Sequence, residues 1–278
     1  METTKNSNYP NTAQSFGITG IMVLAMLVFS PVMILLNKLV DEEFSMFVYY
    51  LLAVGVPLLI VYTIRQRKTQ IHSFNFSIEN PRIIPFVILG AMALLFGVVS
   101  PIAGSIPMPD FLKEAFMKLG GQTGVFSFIL MVIAAPILEE LIFRGIILDG
   151  LLKNYSPWKS ILLSSFLFGL VHLNPWQFIT GMVIGIFAGW IYYNTRSVKY
   201  AILIHAAANS TGFITRLFLK DSDIDMDASV LEMYGNGTNL VLVIGGSILV
   251  LLLCLYFLKN EFKNDSTREI INGSSSEL

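Results

Sequence analysis

Six polar side chains, five of them ionisable and one an amide, lie inside apolar stretches of this chain. Ala134 to Gly145 reads Ala-Ala-Pro-Ile-Leu-Glu-Glu-Leu-Ile-Phe-Arg-Gly, Phe168 to His172 reads Phe-Gly-Leu-Val-His, and His205 to Asn209 reads His-Ala-Ala-Ala-Asn. An ionisable group at mid-bilayer costs ~2.5–3.5 kcal/mol on insertion scales, so such residues mark function by default. In a helix, Glu140 and Arg144 stand four apart, share a face and can pair. Glu139 is turned about 100° from Glu140. The two carboxylates therefore have different tasks: Arg144 neutralises Glu140, and Glu139 is left to face a cavity. His205 and Asn209, again four apart, present an imidazole and an amide together. Phe168 can wall the ring of His172 from one turn away. Pro136, lacking an N–H, loosens the helix just before the glutamates and frees a carbonyl there.

A carboxylate and an imidazole converging on one water can deprotonate it. A second histidine with an amide one turn away can hold the oxyanion of a tetrahedral intermediate. No credible protein nucleophile accompanies them. Cys254 is the single cysteine and lies deep in the last apolar run, where an inert buried thiol is its expected role. Ser164, Ser165 and Ser210 stand in no nucleophile-elbow or Gly-x-Ser-Gly context. There is no His-Glu-x-x-His zinc motif and no Gly-Asp pair. Water-mediated amide hydrolysis is what these residues permit.

The elements that must position them are membrane helices. Of 278 residues, 54% are hydrophobic and 13% charged, against about 25% charged in a soluble domain; mean hydropathy is +0.68. The apolar runs reach the ~20 residues a helix needs to cross a bilayer. The predicted fold is all-α, a polytopic membrane helical bundle of about eight transmembrane helices: Ser15–Leu39, Phe44–Ile64, Ile83–Ile106, Gly124–Ile147, Trp158–Leu173, Trp176–Tyr193, Tyr200–Leu219 and Leu240–Leu258. Arg65, Arg67, Lys68 and Arg82 fill the second connection, Lys153 and Lys159 the fourth, Arg196 and Lys199 the sixth. Acidic residues gather in the first and seventh. Lys and Arg favour cytoplasmic loops, which places both termini in the cytoplasm. Residues 1–14 read as a polar N-terminal segment before an uncleaved first span. Residues 15–258 read as the bundle and 259–278 as a flexible cytoplasmic tail. A net charge of −1 gives no field to recruit nucleic acid, so the expected partners are the lipid bilayer and a membrane-associated peptide or protein.

The three motifs, in order on successive helices, resemble the CPBP family: the type II CAAX prenyl endopeptidases and bacterial proteins of bacteriocin processing and self-immunity. The motif-bearing core runs over about 124–216, and the first hundred residues carry no signature. The resemblance implies that Glu139 and His172 activate water, that His205 and Asn209 form the oxyanion hole, and that Glu140 and Arg144 hold the site together. Short loops and the lack of accessory domains lead us to expect a bacterial cell membrane setting. The family has been described both as metalloproteases and as metal-independent glutamate proteases. Glu139, His172 and His205 would suffice as three zinc ligands with an open position. The metal-free reading is preferred because Glu139 cannot easily be both ligand and base, and no cofactor is firmly implied.

Rival readings are a buried polar network that ties helices together, a proton-relaying transporter, and a catalytically silent immunity or scaffold protein. His72, in the basic second connection, is read as a solvated loop residue. Gly181, Gly185 and Gly189 are expected to serve close helix packing within the bundle. Asp221, Asp223, Asp225, Asp227 and Glu232 fit positions of an EF-hand frame, but Met226 stands where the turn needs glycine; an acidic exterior loop is the better description. One difficulty concerns depth. For His172 to meet Glu139, the fifth helix must tilt, begin outside the core or end early at Asn174-Pro175.

Overall fold

In a computed structural model, the structure describes residues 8–110, 112–113, 121–218 and 228–274. The acidic positions 221–227 lie outside the described residues. The described chain is all-helical. Its principal helices are α1 (Thr12–Leu36), α2 (Glu42–Thr69), α3 (Pro81–Gly104), α4 (Val125–Asn154), α5 (Pro157–Leu170), α6 (Pro175–Thr195), α7 (Val198–Phe218) and α8 (Gly237–Ser274). Their starts follow capping chemistry. Asn11 and Gln14 cap α1 reciprocally, and Asp41 accepts from the Phe44 N–H at the head of α2, each satisfying amides that a helix start leaves unpaired. Left-handed residues close α2 at Gln70 and α6 at Arg196, the usual geometry of a helix end.

Among the described residues, six of these helices are long and apolar enough to cross a membrane; the expected count of eight is not confirmed. The fourteen residues of α5 reach only about 21 Å, short of the ~30 Å hydrocarbon core. α7 is long enough, but His205, Asn209, Ser210 and Thr211 lower its apolar content. Large side chains such as Leu27, Leu35, Val241 and Leu253 are exposed on α1 and α8, a surface that suits lipid rather than water.

Three apolar clusters fill the interior among the described residues, two of them extensive. Ile18, Met22, Val54, Ile142, Ile146 and Leu167 join α1, α2, α4 and α5. Val87, Phe187, Ala188, Ala201, Ile204 and Leu258 join α3, α6, α7 and α8. The glycine stripe of α6 packs within the chain: a Cβ at Gly181 would meet the Gly169 backbone at 2.9 Å, and one at Gly189 would meet Ile161 at 3.1 Å. Small residues there let α5 and α6 approach backbone to backbone.

The segment from Lys259, read from sequence as a flexible tail, continues in helix to Ser274. Glu261 accepts a 2.9 Å hydrogen bond from Asn80 Nδ2, and Phe262 meets Trp190 edge-on at 5.3 Å. These contacts carry the helix past its apolar run. Glu232, the one member of the acidic frame described, forms a capping box with Ser229. Those hydrogen bonds hold its carboxyl below the usual carboxylate range.

Candidate active site

Of the three expected ways for His172 to approach the depth of Glu139, the structure shows the early end of the fifth helix, and it shows α4 longer than expected. α4 runs past Ile147 to Asn154, supported by a 2.7 Å Lys153–Asp149 ion pair in its last turn. It stops where Ser156, preceding Pro157, must leave the helical region. Glu139 is fifteen residues before Asn154 and His172 fifteen after Pro157. In an antiparallel hairpin both lie about 22 Å from the same end. α5 ends at Leu170, so His172 sits in the tight turn before α6. Leu173 adopts a left-handed φ of 58° there, uncommon for a non-glycine residue. Asn174 secures the turn by donating to the His172 carbonyl at 2.9 Å while capping α6.

α4 is irregular on both sides of the glutamates. Residues Ile129–Ala134 and Phe143–Leu148 are π-helical, and Ala135–Ile142 between them is α-helical. Insertions of this kind recur at functional sites. The first one explains Asn209. The Ala135 N–H reaches back to Leu130 O, so in the same register the Met131 carbonyl would require an N–H at position 136, which is proline. Asn209 Nδ2 of α7 supplies the missing donor at 2.8 Å. Pro136 therefore frees a carbonyl, as its ring chemistry requires, and the freed group fixes the candidate amide.

Glu140 and Arg144, each 1% exposed, form the expected ion pair at 2.9 Å. Arg144 also donates to Gly185 O of α6 at 3.1 Å, and its guanidinium lies 4.7 Å over the Phe168 ring. Gly185 leaves room for this approach: a Cβ there would meet Arg144 at 3.2 Å. Among the described residues, Glu140 Oε2 and Arg144 Nε have no hydrogen-bond partner.

His205 stands between the two carboxylates. Its Nδ1 is 3.0 Å from Glu140 Oε1, and its Nε2 is 3.9 Å from Glu139 Oε2. The other oxygen of Glu139 accepts from the Tyr50 hydroxyl of α2. His172 Nδ1 is 2.8 Å from Phe168 O. A carbonyl only accepts, so Nδ1 carries the proton and Nε2 presents a lone pair in the neutral ring. Phe168 meets both imidazoles edge-on, at 5.4 Å for His172 and 5.5 Å for His205, and packs on Phe143 at 4.9 Å.

The structure thus brings Glu139, Glu140, Arg144 and His205 into direct contact or near contact, sets His172 on the same aromatic ring, and ties Asn209 to the backbone of α4. Among the described residues, no three His, Cys, Asp or Glu side chains gather into a group that could hold a metal ion. Sequence reasoning missed Tyr50 and the Gly185 carbonyl; it expected Pro136 to free a carbonyl but did not identify it as that of Met131 or Asn209 as its donor. A hydroxyl inside an apolar run was the one available signal for Tyr50; the Gly185 carbonyl left none.

Residues 121–211 match the family model described as type II CAAX prenyl endopeptidase Rce1-like. The chain is 29% identical over 117 residues to "Putative membrane peptidase YdiL" of Bacillus subtilis (strain 168), covering 42% of this chain and 44% of that protein. It is 31% identical over 86 residues to "UPF0177 protein YbdI" of Lactococcus lactis subsp. lactis (strain IL1403), covering 30% of this chain and 45% of that one. Each alignment covers less than half of the relative's length. No solved structure matches significantly. All six residues singled out from the sequence fall within 121–211.

Proposed function

With residues 121–211 matching the Rce1-like type II CAAX prenyl endopeptidases, we propose that the chain is an intramembrane endopeptidase that hydrolyses a peptide bond of a membrane-associated protein or peptide. Glu139 and His172 activate the water; His205 and Asn209 stabilise the oxyanion. The observation that carries this reading is the placement of His205 between Glu140 and Glu139. The attacking and carbonyl oxygens of a tetrahedral intermediate share one carbon. The group that takes the proton and the group that holds the oxyanion must therefore be close neighbours, and the 3.9 Å between Glu139 Oε2 and His205 Nε2 meets that demand.

Tyr50 occupies one oxygen of Glu139 and leaves the other to the water. The proton on His172 Nδ1 is held by Phe168 O, so Nε2 accepts from the same water. As the oxygen–carbon bond forms, the water proton passes to Glu139 and the carbonyl π pair moves to oxygen. The oxyanion takes hydrogen bonds from His205 Nε2–H and the second Nδ2 hydrogen of Asn209. On collapse the carbon–nitrogen bond breaks, and Glu139 returns its proton to the leaving amine. With Nδ1–H donating to the Glu140 carboxylate, donation by Nε2 as well has His205 carry both ring protons. In that form two carboxylates face one guanidinium and one imidazolium, so the charges balance, as buried charges must.

The test is cleavage of a membrane-anchored peptide library by the wild type and Glu139→Ala in proteoliposomes. A general base contributes about 10²–10⁴-fold, and a loss of that size is expected. Equal turnover by both proteins would sink the mechanism. Turnover by neither would favour the immunity or scaffold reading. A bacterial cell membrane, with both termini cytoplasmic, is the setting proposed from the loop charges and the relatives.

A further inference from the structure

Away from the catalytic cluster, a cavity of about 510 Å³ is lined by residues of α2, α4 and α6 and of the connection that follows α2. That volume falls within the roughly 300–1,000 Å³ of small-molecule sites. The lining includes three cations, Arg65, Lys153 and Arg196, one from each helix, against a single described carboxylate, Asp149. Asp149 Oδ2 is committed to Lys153 at 2.7 Å. Arg65 Nη2 stands 3.9 Å from the same oxygen, beyond hydrogen-bond reach. Arg65 is 4% exposed and carries five N–H donors. Among the described residues it makes one hydrogen bond, 3.3 Å to Ser73 O. Its guanidinium lies 4.8 Å over the Phe74 ring, which stacks on Tyr62 at 5.5 Å. Arg196 closes α6 in the left-handed region and lies 5.5 Å over the Tyr193 ring; none of the ion pairs among the described residues engages it. The Tyr192 hydroxyl, 3.5 Å from Asp149 Oδ1, is within electrostatic reach of both arginines.

We propose that this cavity binds a dianionic phosphate group, borne by a small phosphorylated solute or by a lipid headgroup. The charge balance selects that chemistry. A carboxylate would bring one charge to a lining with two cations in excess. A terminal phosphate carries about −1.5 to −2 at neutral pH and three acceptor oxygens, which guanidinium forks pair bidentately. The donors of Arg65 that Ser73 leaves unused call for such an acceptor, because a buried charge without its hydrogen bonds is costly. The orientation proposed from the loop charges sets the cavity on the cytoplasmic side, where anionic headgroups are also available. Glu139, His172, His205 and Asn209 do not line it, so occupancy and peptide hydrolysis are measured separately.

The experiment is isothermal titration calorimetry of the full chain in neutral detergent at neutral pH. Inorganic phosphate is one titrant and short-chain phosphatidic acid the other. Saturable one-to-one binding is expected; tighter phosphate assigns the site to a soluble ligand, and tighter phosphatidic acid assigns it to a headgroup. Arg196→Asn, which retains a residue suited to left-handed backbone, weakens binding roughly tenfold or more, the scale of one charge-assisted hydrogen bond. Arg65→Lys keeps the charge, loses the fork and also weakens it. Arg67→Gln, a cation outside the described lining, leaves affinity unchanged. A thermal melt of each variant checks that it folds. Absence of saturable binding of either titrant to the wild type would overturn the proposal, as would an unaltered affinity in Arg196→Asn. An equal loss in Arg67→Gln would reduce the effect to diffuse surface charge and overturn it as well.

Discussion

Arg144 is the residue on which the site is mechanically centred. It is 1% exposed, pairs with Glu140, donates to a backbone carbonyl of α6 and lies over Phe168. Removing one partner of a buried pair leaves an uncompensated charge and costs about 3–5 kcal/mol. Arg144→Met is therefore expected to lower stability in detergent by that amount. Adding Glu140→Gln should recover much of the loss, because no unpaired charge then stays buried. Chemical unfolding of the single and double variants measures both. Tyr50 acts differently, since its hydroxyl donates to the candidate base. Hydrogen bonds to charged groups contribute about 1.5–3 kcal/mol. Tyr50→Phe should lower kcat by roughly tenfold or more with the fold intact, measured as turnover beside a thermal melt. The Glu140–Arg144 pair was legible as an i,i+4 spacing. Tyr50 was not, because it lies 89 positions from Glu139 on another helix and no local pattern connects them.

Among the elements, α4 departs furthest from a regular helix, and the departure couples it to α7. Met131 O lacks a backbone donor because position 136 is proline, and Asn209 replaces that donor. Asn209→Ala in the wild-type background should cost about 1–3 kcal/mol for the orphaned carbonyl. In a Pro136→Ala background the restored N–H can serve Met131, and the same substitution should cost markedly less. A double-mutant cycle reads the difference as a coupling energy on the order of 1 kcal/mol, and additive effects would show that the two residues do not share this carbonyl. Proline and the His-x-x-x-Asn spacing were visible in sequence. The π-helical register that makes them partners was not, since hydrophobic runs carry no mark of a one-residue shift in hydrogen bonding. The early end of α5 had such a mark in Asn174-Pro175, and the structure uses it to bring His172 out of the helix and into the turn.

At the scale of the whole molecule, the exposed apolar side chains of α1 and α8 suit a lipid surface. The orientation proposed from the loop charges puts the end of α2 in the cytoplasm and the end of α3 outside. Single cysteines at Lys68 and Ser105, in a Cys254→Ser background, should react with a membrane-impermeant maleimide from the cytoplasmic and the exterior face respectively. Labelling of both from one side would reverse the orientation argued from the positive residues. α5 and α7 are helices within this bundle, yet neither meets the length and apolarity of a span. Both carry site residues, and the polar or short character that serves the site is what removes them from the count of six.

The sequence by itself determined the membrane class, the helical content, the three motifs and the pairing of Glu140 with Arg144. All of these follow from composition or from spacing within one helix, where geometry is fixed at 3.6 residues per turn. Only the tertiary structure decided which oxygen of each glutamate faces which ring nitrogen of His205, that Tyr50 completes the coordination of Glu139, and that a backbone carbonyl of α4 holds Asn209. Those contacts join residues from three different helices. Their distances depend on helix length, register and the close approach at Gly185, which interhelical packing sets and no local spacing encodes.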